Sequence, residues 1–559
     1  MSNTSTKPAE ASRRDRFVEA NLPEPHLLPS LEAVPAPARQ TTNATHELLD
    51  AHLGRGTDAR LALLSADGWG LHRTSYAALY EKVSRVAHVL VQEMGLVPGE
   101  RVLLRGPNTL MLAVGWLAVA RAGGVAVTTM PLLRAKELRD VVSKARIRLA
   151  LCDERFSEEL ELCRAMVRMG DTSLLEHVAH FNGNGADLER RMATRPDTFE
   201  AWAGKSTEPA LIGFTSGTTG VPKGAIHTHQ DLISICEGFA RHVLEVNPDD
   251  RCCGTPPLGF TFGLGGLLCF PLYHGATGVL AESLTPAGLL QLIQDTEATL
   301  CFTVPTFYRQ MVPLVQQYRL GSLRHSVSAG ESLPATTRLD WHAATGLQMI
   351  DGLGSTELLH VFVSCKPQDY RPGAIGRAIP GYQVVALDEA LQPLPPGSTG
   401  LLAVRGPTGC RYLADSRQSQ YVRDGWNLPG DVGWLDQDGY VYYAGRADDL
   451  IVSAGYNITG PEVEAVLLQH PAVSECAVVG APDAARGQIV QAHVVLRYGF
   501  EASDVLASEL QDFVKATIAP YKYPRSIVFC SSLPRTESGK LQRFKLRLGP
   551  GASARAGNA

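Results

Sequence analysis

Between Phe214 and Gly224 the chain reads Thr215, Ser216, Gly217, Thr218, Thr219, Gly220, Val221, Pro222 and Lys223. Three glycines (Gly217, Gly220 and Gly224) let a backbone turn tightly and approach a ligand. Thr215, Ser216, Thr218 and Thr219 add hydroxyl donors to the backbone N–H groups, and Lys223 adds a positive charge. Many donors around dispersed negative charge is what a polyphosphate requires. The segment is not a Walker loop, since GxxxxGK[ST] occurs nowhere in the chain. A flexible Gly/Ser/Thr linker is the plain alternative. Against it, Leu211 and Ile212 precede the segment and Ala225 and Ile226 follow it, as expected of a loop between two apolar strands. His227 and His229 flank the loop and are read as packing and hydrogen-bonding residues, not as metal ligands.

Five further segments carry reactive groups in a fixed order. Ser328, Ala329, Gly330, Glu331 and Ser332 come first, then Asp351, Gly352, Leu353, Gly354, Ser355, Thr356 and Glu357. Gly430-Asp431 precedes Gly445, Arg446, Ala447, Asp448 and Asp449, and the run from Pro534 through Gly539 ends on Lys540. Any reaction on a nucleoside triphosphate needs oxygen ligands for Mg²⁺. Taken alone, Gly430-Asp431 reads as a turn.

In this order the motifs resemble those of the adenylate-forming superfamily: acyl- and aryl-CoA ligases, peptide-synthetase adenylation domains and beetle luciferases. The resemblance runs from about His46 to Arg547. It implies that Gly330 and Glu331 lie on the adenine side, with Asp351, Gly352 and Leu353 completing the nucleotide site. Thr356 would touch phosphate, Glu357 would hold Mg²⁺, Asp431 would bind ribose, and Arg446 would approach ribose or phosphate. Asp448 would be the hinge, Lys540 the adenylation lysine, and Ser453, Ala454 and Gly455 the wall of the CoA tunnel. Leu353 departs from the family, in which many members stack a Tyr on adenine. Ala454 stands where many have Gly, which implies a tighter tunnel.

Within the superfamily the chain is most similar to the benzoate-CoA ligase group, especially 2-aminobenzoate-CoA ligases. Thr129–Arg134, Pro256–Gly265 and Gly354–His360 carry that likeness. It implies an acyl pocket built from Phe260, Thr261, Phe262, Ala329, Gly354 and His360. His360 would bond the substrate carboxylate, with a satisfied core histidine as the alternative. No acid occurs from Gly259 to Gly266 to pair an α-ammonium, which argues against an amino-acid-activating domain.

The expected reaction is ATP-dependent ligation of an aryl acid, 2-aminobenzoate or benzoate, to CoA through an aryl-adenylate. The alternatives are another small acid (hydroxybenzoate or a short acyl acid), a stand-alone enzyme loading a carrier protein, or an inactive nucleotide-binding sensor. ATP, CoA and Mg²⁺ are the implied cosubstrates and cofactor. The sequence is compatible with a homodimer without requiring one.

These residues need elements to position them. Leu289, Leu290, Leu292 and Ile293 mark a helix, and a short buried strand is expected over Thr299 to Pro305. Such alternation predicts an α/β fold with largely parallel sheets. Gly397 to Asp438 has the texture of short strands and turns. Beyond it, Val463, Val466 and Leu467 mark a helix, Val490 to Leu496 alternates as a strand, and Leu506, Leu510, Phe513 and Val514 mark another helix. The expectation is a large N-terminal domain of layered α/β subdomains plus a β-rich subdomain over residues 21–445. A small mobile α+β domain would follow over 446–548, with a disordered tail at 1–20 and a frayed one at 549–559. Gly263 to Ala281 is read as buried strand and turn.

The chain of 559 residues, 45% hydrophobic and 19% charged, can support more than one core. A net charge of −5 offers no broad attraction for nucleic acid. The 11 cysteines show no CxxC pairing, as expected of free thiols in a reducing compartment. Arg13 and Arg14 are followed by Asp15 and Arg16 instead of an apolar stretch, and Leu110 to Ala120 is too short to span a bilayer. A cytoplasmic protein without membrane segments is expected.

Overall fold

A computed structural model describes residues 14–31, 43–54, 56–67, 70–183, 187–215, 222–453, 456–483, 486–535 and 541–547. Two sheets with parallel centres form the bulk. The first is six-stranded, in the order His177–Phe181, Leu149–Asp153, Arg101–Arg105, Val125–Thr129, Pro209–Thr215 and Lys223–Thr228. Its last two strands are an antiparallel pair in which Thr215 faces Lys223. The phosphate-loop segment therefore joins two neighbouring strands.

The second sheet is nine-stranded. Its parallel centre includes Arg251–Gly254, Leu300–Thr303, His325–Ala329 and Met349–Gly354, with antiparallel strands at both edges. The central strands Leu300–Thr303 and His325–Ala329 are buried along nearly their whole length, as parallel strands covered on both faces must be. The helix Leu110–Arg121 is buried on all sides from Met111 onward, so it is a core helix. No helix among the described residues is long and apolar enough to cross a membrane.

A third, antiparallel sheet contains Gln383–Leu387, Gly400–Arg405, Asp431–Leu435 and Val441–Arg446. Past Arg446 the chain enters a fourth sheet: Ile451–Ser453, Tyr456–Ile458, Val473–Asp483, Gly487–Leu496 and Ser526–Phe529. The helices Gly460–Leu467 and Asp504–Thr517 pack on it around a separate core of Val463, Leu467, Val490, Val494, Leu510 and Val514. The architecture is thus a large α/β assembly with a β-rich part, followed by a small α+β unit with its own core.

Two sequence expectations need correction. The disordered tail was placed at 1–20, but Arg14 to Ala20 is ordered. Asp15 pairs with Arg101, whose guanidinium also lies over the Phe17 ring, and Arg14 pairs with Glu208. Ion pairs with distant residues hold this polar segment, and local composition could not reveal them. Gly263 to Ala281 is mostly helical. Thr261–Gly263, Leu264–Cys269 and Phe270–Tyr273 follow one another as helix, and only Thr277–Ala281 is strand. Here glycine serves close packing instead of turning. A Cβ on Gly265 would lie 2.4 Å from the His360 ring, and one on Gly266 2.8 Å from Phe302. All 11 cysteines are free.

Arg105 fixes the segment Thr129–Arg134 from below. Its buried guanidinium donates to the carbonyls of Met130, Pro131, Leu133 and Phe156 at 2.6 to 3.1 Å. Arg105→Met should leave these acceptors without a donor and destabilise the protein by about 3 kcal/mol or more. A denaturation midpoint within experimental scatter of the wild type would contradict this.

Candidate active site

The strands His325–Ala329 and Met349–Gly354 lie side by side and in register, Ser328 opposite Asp351 and Ala329 opposite Gly352. Both end at the same edge of the sheet, so Gly330 and Glu331 leave it beside Leu353 and Gly354. Ligands bind at this carboxyl edge in open α/β sheets. Gly330, at φ +88°, makes a turn that L side chains resist. Gly354 sits at a register shift where a Cβ would meet the His360 carbonyl oxygen at 2.6 Å.

Asp351 is buried, and burial raises its carboxyl to about 6 despite the Arg338 guanidinium 3.8 Å away. Its Oδ1 accepts from the Gly352 N–H. Leu353 is half-buried and packs against the main core.

The strand Pro209–Thr215 carries the phosphate segment to this edge. A Cβ on Gly213 would lie 2.9 Å from Thr356 Cγ2 and 3.8 Å from Thr261 Cγ2. The missing side chain therefore lets phosphate strand, Thr356 and Thr261 converge. His227 Nε2 bonds the Thr356 carbonyl at 2.8 Å, and His229 Nδ1 accepts from the Ala44 N–H. Burial pulls both imidazoles down to about 4, so both are neutral and structural in this setting. Ser216, Gly217, Thr218, Thr219 and Gly220 lie outside the described residues.

Lys223 lies 3.3 Å from the Tyr412 hydroxyl, and that hydroxyl donates to Glu357 Oε1 at 2.6 Å. Burial pushes the phenol far above its ordinary value, and the Glu357 charge adds to the shift. Tyr412 therefore remains a donor. Tyr421 stacks edge-on against it and bonds Ser355. Neither tyrosine was singled out from the sequence. Each is an isolated aromatic in a turn-rich stretch, and no spacing signal marks it.

Asp431 is buried and pairs across the antiparallel strands with Arg446, whose Nη1 is 3.3 Å away. Burial raises the Asp431 carboxyl, opposed by Arg446. Arg446 Nε also lies 3.3 Å from the exposed Asp448. One guanidinium thus spans the point where the chain passes from the third sheet to the fourth. Ser453 is buried in that fourth sheet, paired with Tyr456 and Gly487. Ala454, Gly455 and Lys540 lie outside the described residues.

The acyl-pocket candidates gather around His360. Its ring lies 4.6 Å from Phe270 and 5.6 Å from both Phe239 and Phe262. Its Nε2 faces the Phe262 carbonyl at 3.4 Å, and Nδ1 has no hydrogen-bond partner among the described residues. Burial lowers the imidazole to about 3, so it is neutral. Phe260 precedes the helix that begins at Thr261, and all three residues from Phe260 to Phe262 are half-buried. Asn108 holds the approach to that helix, donating to the Pro256 carbonyl and accepting from the Leu258 N–H. Ala329 is buried at its strand end. Helical periodicity linking Phe262, Gly266 and Phe270 was the available signal for Phe270. Phe239 and Asn108 had none.

The site so defined belongs to a nucleotide-activating enzyme, and the comparisons agree. Residues 55–412 match the AMP-binding enzyme family and residues 462–540 match the AMP-binding enzyme C-terminal domain. The chain is 34% identical to the benzoate–CoA ligase of Thauera aromatica over 90% of its own length and 95% of the relative's. It is 29% identical to the 3-hydroxybenzoate–CoA ligase of Aromatoleum sp. (strain CIB), covering 90% of this chain and 96% of that one. Among solved structures it resembles the anthranilate CoA ligase AuaEII in complex with anthranoyl-AMP. There the TM-score is 0.86 and the identity 32%, with 92% of this chain and 99% of that chain covered. A benzoate CoA ligase from Burkholderia xenovorans LB400 matches at TM-score 0.81 and 31% identity, over 90% of this chain and 100% of that one.

The chain belongs to the AMP-binding enzyme family. Within it, this protein is an AMP-forming acid–thiol ligase, an acyl- or aryl-CoA ligase that uses ATP and CoA.

The raised Asp351 carboxyl makes stability pH-dependent. Its folded value of about 6 exceeds the roughly 3.9 of an unfolded aspartate, so the fold favours the neutral acid. The penalty for charge is absent below about pH 4, grows as pH rises, and is complete above about pH 6. Asp351→Asn should therefore gain stability over the wild type on the order of 2 kcal/mol at pH 8, and almost none at pH 4. Melting curves at the two pH values test this, and a pH-independent difference would refute the assignment.

Proposed function

We propose that this enzyme activates a small aryl acid, 2-aminobenzoate or benzoate, as its adenylate and passes the aryl group to CoA. The carrying observation is the neutral His360 held among Phe239, Phe262 and Phe270, with no carboxylate acting on it among the described residues. A flat apolar ring suits such walls, whereas an α-ammonium would lack a counter-charge. A carbonyl only accepts, so Nε2 facing the Phe262 oxygen carries the proton and Nδ1 presents a lone pair. In that tautomer the buried His360 has no proton free to donate to a carboxylate. The likeness to the anthranilate ligase bound to anthranoyl-AMP supports the same reading.

In the first step a carboxylate oxygen attacks the α-phosphorus, and pyrophosphate leaves with the electrons of the broken P–O bond. Lys223, the loop Thr215 to Gly220, Thr356 and Lys540 would stabilise the charge that develops there. Glu357 suits Mg²⁺, which takes one or two carboxylates and fills its shell with phosphate and water oxygens. No group of three or more His, Cys, Asp and Glu among the described residues offers a metal cage, so one buried carboxylate is the appropriate donor set. Bound there, Mg²⁺ would neutralise triphosphate charge. Tyr412, donating to Glu357, orients its carboxylate. Asp431 would accept the ribose hydroxyls, with Arg446 beside it, and Gly330, Glu331, Asp351, Gly352 and Leu353 would line the base.

In the second step the CoA sulfur attacks the acyl carbon, the bond to AMP breaks, and the thiol proton is released. Ser453, Ala454 and Gly455 would flank the incoming thiol after rotation at Asp448. Rotation separates the two chemistries, because Lys540 serves only the first.

Lys540→Ala should lower adenylation about 10²–10³-fold while barely touching thioester formation from supplied acyl-AMP and CoA. Equal loss in both half-reactions would defeat the division of labour. For the substrate, one neutral hydrogen bond contributes about 0.5–1.5 kcal/mol, so 2-aminobenzoate should exceed benzoate in kcat/KM by roughly 2- to 12-fold. Both should far exceed acetate, which forfeits the ring's apolar contact. The Thr261 hydroxyl can accept from an ortho amine, so Thr261→Ala should collapse the ratio between the two aryl acids, and an unchanged ratio would make His360→Leu the next variant. A tenfold preference for benzoate in the wild type would overturn the ortho-amine assignment.

A further inference from the structure

The described residues on either side of the segment that bears Lys540 have two different anchors. Its ends meet in a bridge between Arg535 and Leu541, reinforced by the Gln542 N–H donating to the Pro534 carbonyl at 2.8 Å. Behind the segment, Arg543 donates twice to Glu464, at 2.8 Å each, which fastens it to the small C-terminal unit. In front, Arg535 reaches out of that unit. Its Nη1 lies 2.8 Å from Glu331 Oε1 in the large unit, while Nη2 holds Glu475 of its own sheet at 2.9 Å. Glu475 in turn lies 3.7 Å from Arg309 of the large unit.

Arg309 and Thr306 belong to one helix, Pro305–Met311, and Thr306 donates to the second oxygen of Glu331 at 3.0 Å. Their i, i+3 spacing puts both on one face. Positive and negative charges thus alternate across the junction: Arg309, Glu475, Arg535, Glu331. The four side chains are 16% to 26% exposed, shielded enough for the pairs to act while water still reaches them.

We infer that Arg309, Glu475, Arg535 and Glu331 form an electrostatic latch that holds the small C-terminal unit against the large one for the first half-reaction. The inference rests on the reading of Lys540 as the adenylation lysine. Glu475 and Arg535 both ride on the small unit, so turning it at Asp448 breaks both cross-junction pairs together. The latch favours adenylation and opposes passage to thioester formation. Arg309 and Glu475 are positioning residues, acting through the placement of the small unit and not on substrate.

The test uses the full-length enzyme with ATP and benzoate, carrying Arg309→Gln, Glu475→Gln, both together, and Arg309→Lys. Single-turnover pyrophosphate release reads the first half-reaction. Thioester formation from supplied benzoyl-AMP and CoA reads the second. Each Gln variant should slow the first about three- to tenfold and leave the second unchanged or faster. The double variant should be no worse than the singles, and Arg309→Lys should restore the ratio. Raising salt from about 0.05 to about 0.5 M should shift the wild-type ratio the same way and the double variant much less. Parallel loss in both half-reactions, or no change in their ratio, overturns the latch. Lys540→Ala run alongside separates the two ideas. If it spares adenylation, the lysine assignment fails; if it abolishes adenylation while the Gln variants keep the wild-type ratio, only the latch fails.

Discussion

The Tyr412 hydroxyl, donating to Glu357 while 3.3 Å from Lys223, is the contact on which the arrangement of the site depends. It joins a lysine at the base of the phosphate hairpin, a carboxylate at the end of the nine-stranded sheet, and a residue that leads into the β-rich part. A buried carboxylate without a donor would protonate or pull the surrounding structure out of shape. Here a neutral phenol supplies that donor. The same phenol lies near an ammonium without competing for its charge, leaving Lys223 able to bind a stronger anion.

Around that contact, burial sets the state of each titratable group differently. Asp351 and Asp431 are raised by desolvation with an arginine opposing the shift, while His227, His229 and His360 are driven neutral. On the proposed function the acids would serve the nucleotide, while the neutral His360 imidazole lies among aromatic rings. The glycines Gly213, Gly265 and Gly354 permit this by letting side chains from other segments occupy the space a Cβ would fill.

On the proposed mechanism the small C-terminal unit obeys a different requirement, since it must leave and return. Its core is its own, which would let it move as a body. Its contacts with the large unit include the ion pairs Arg535–Glu331 and Arg309–Glu475, which fit a reversible junction: ion pairs part into water at little cost, whereas exposing an apolar face would be expensive.

Local chemistry was readable from the sequence because it depends on residue type and near spacing. The alternation of helix and strand predicted the α/β layers. The Thr/Ser/Gly run between apolar stretches predicted a loop joining two strands, which is where Thr215 and Lys223 stand. The helices at Leu289, Val463 and Leu506 followed from periodicity. What tertiary structure alone decided involves partners far apart in the chain. Tyr412 meets Glu357 across 55 positions, and Arg535 meets Glu331 across 204. Arg14 to Ala20 is ordered by Arg101 and Glu208, and Gly263–Tyr273 is helical because its glycines fit beneath His360 and Phe302. A local pattern carries the preference of its own backbone. It does not carry the identity of the side chain that will press against it, and the function of this protein is assembled from those distant contacts.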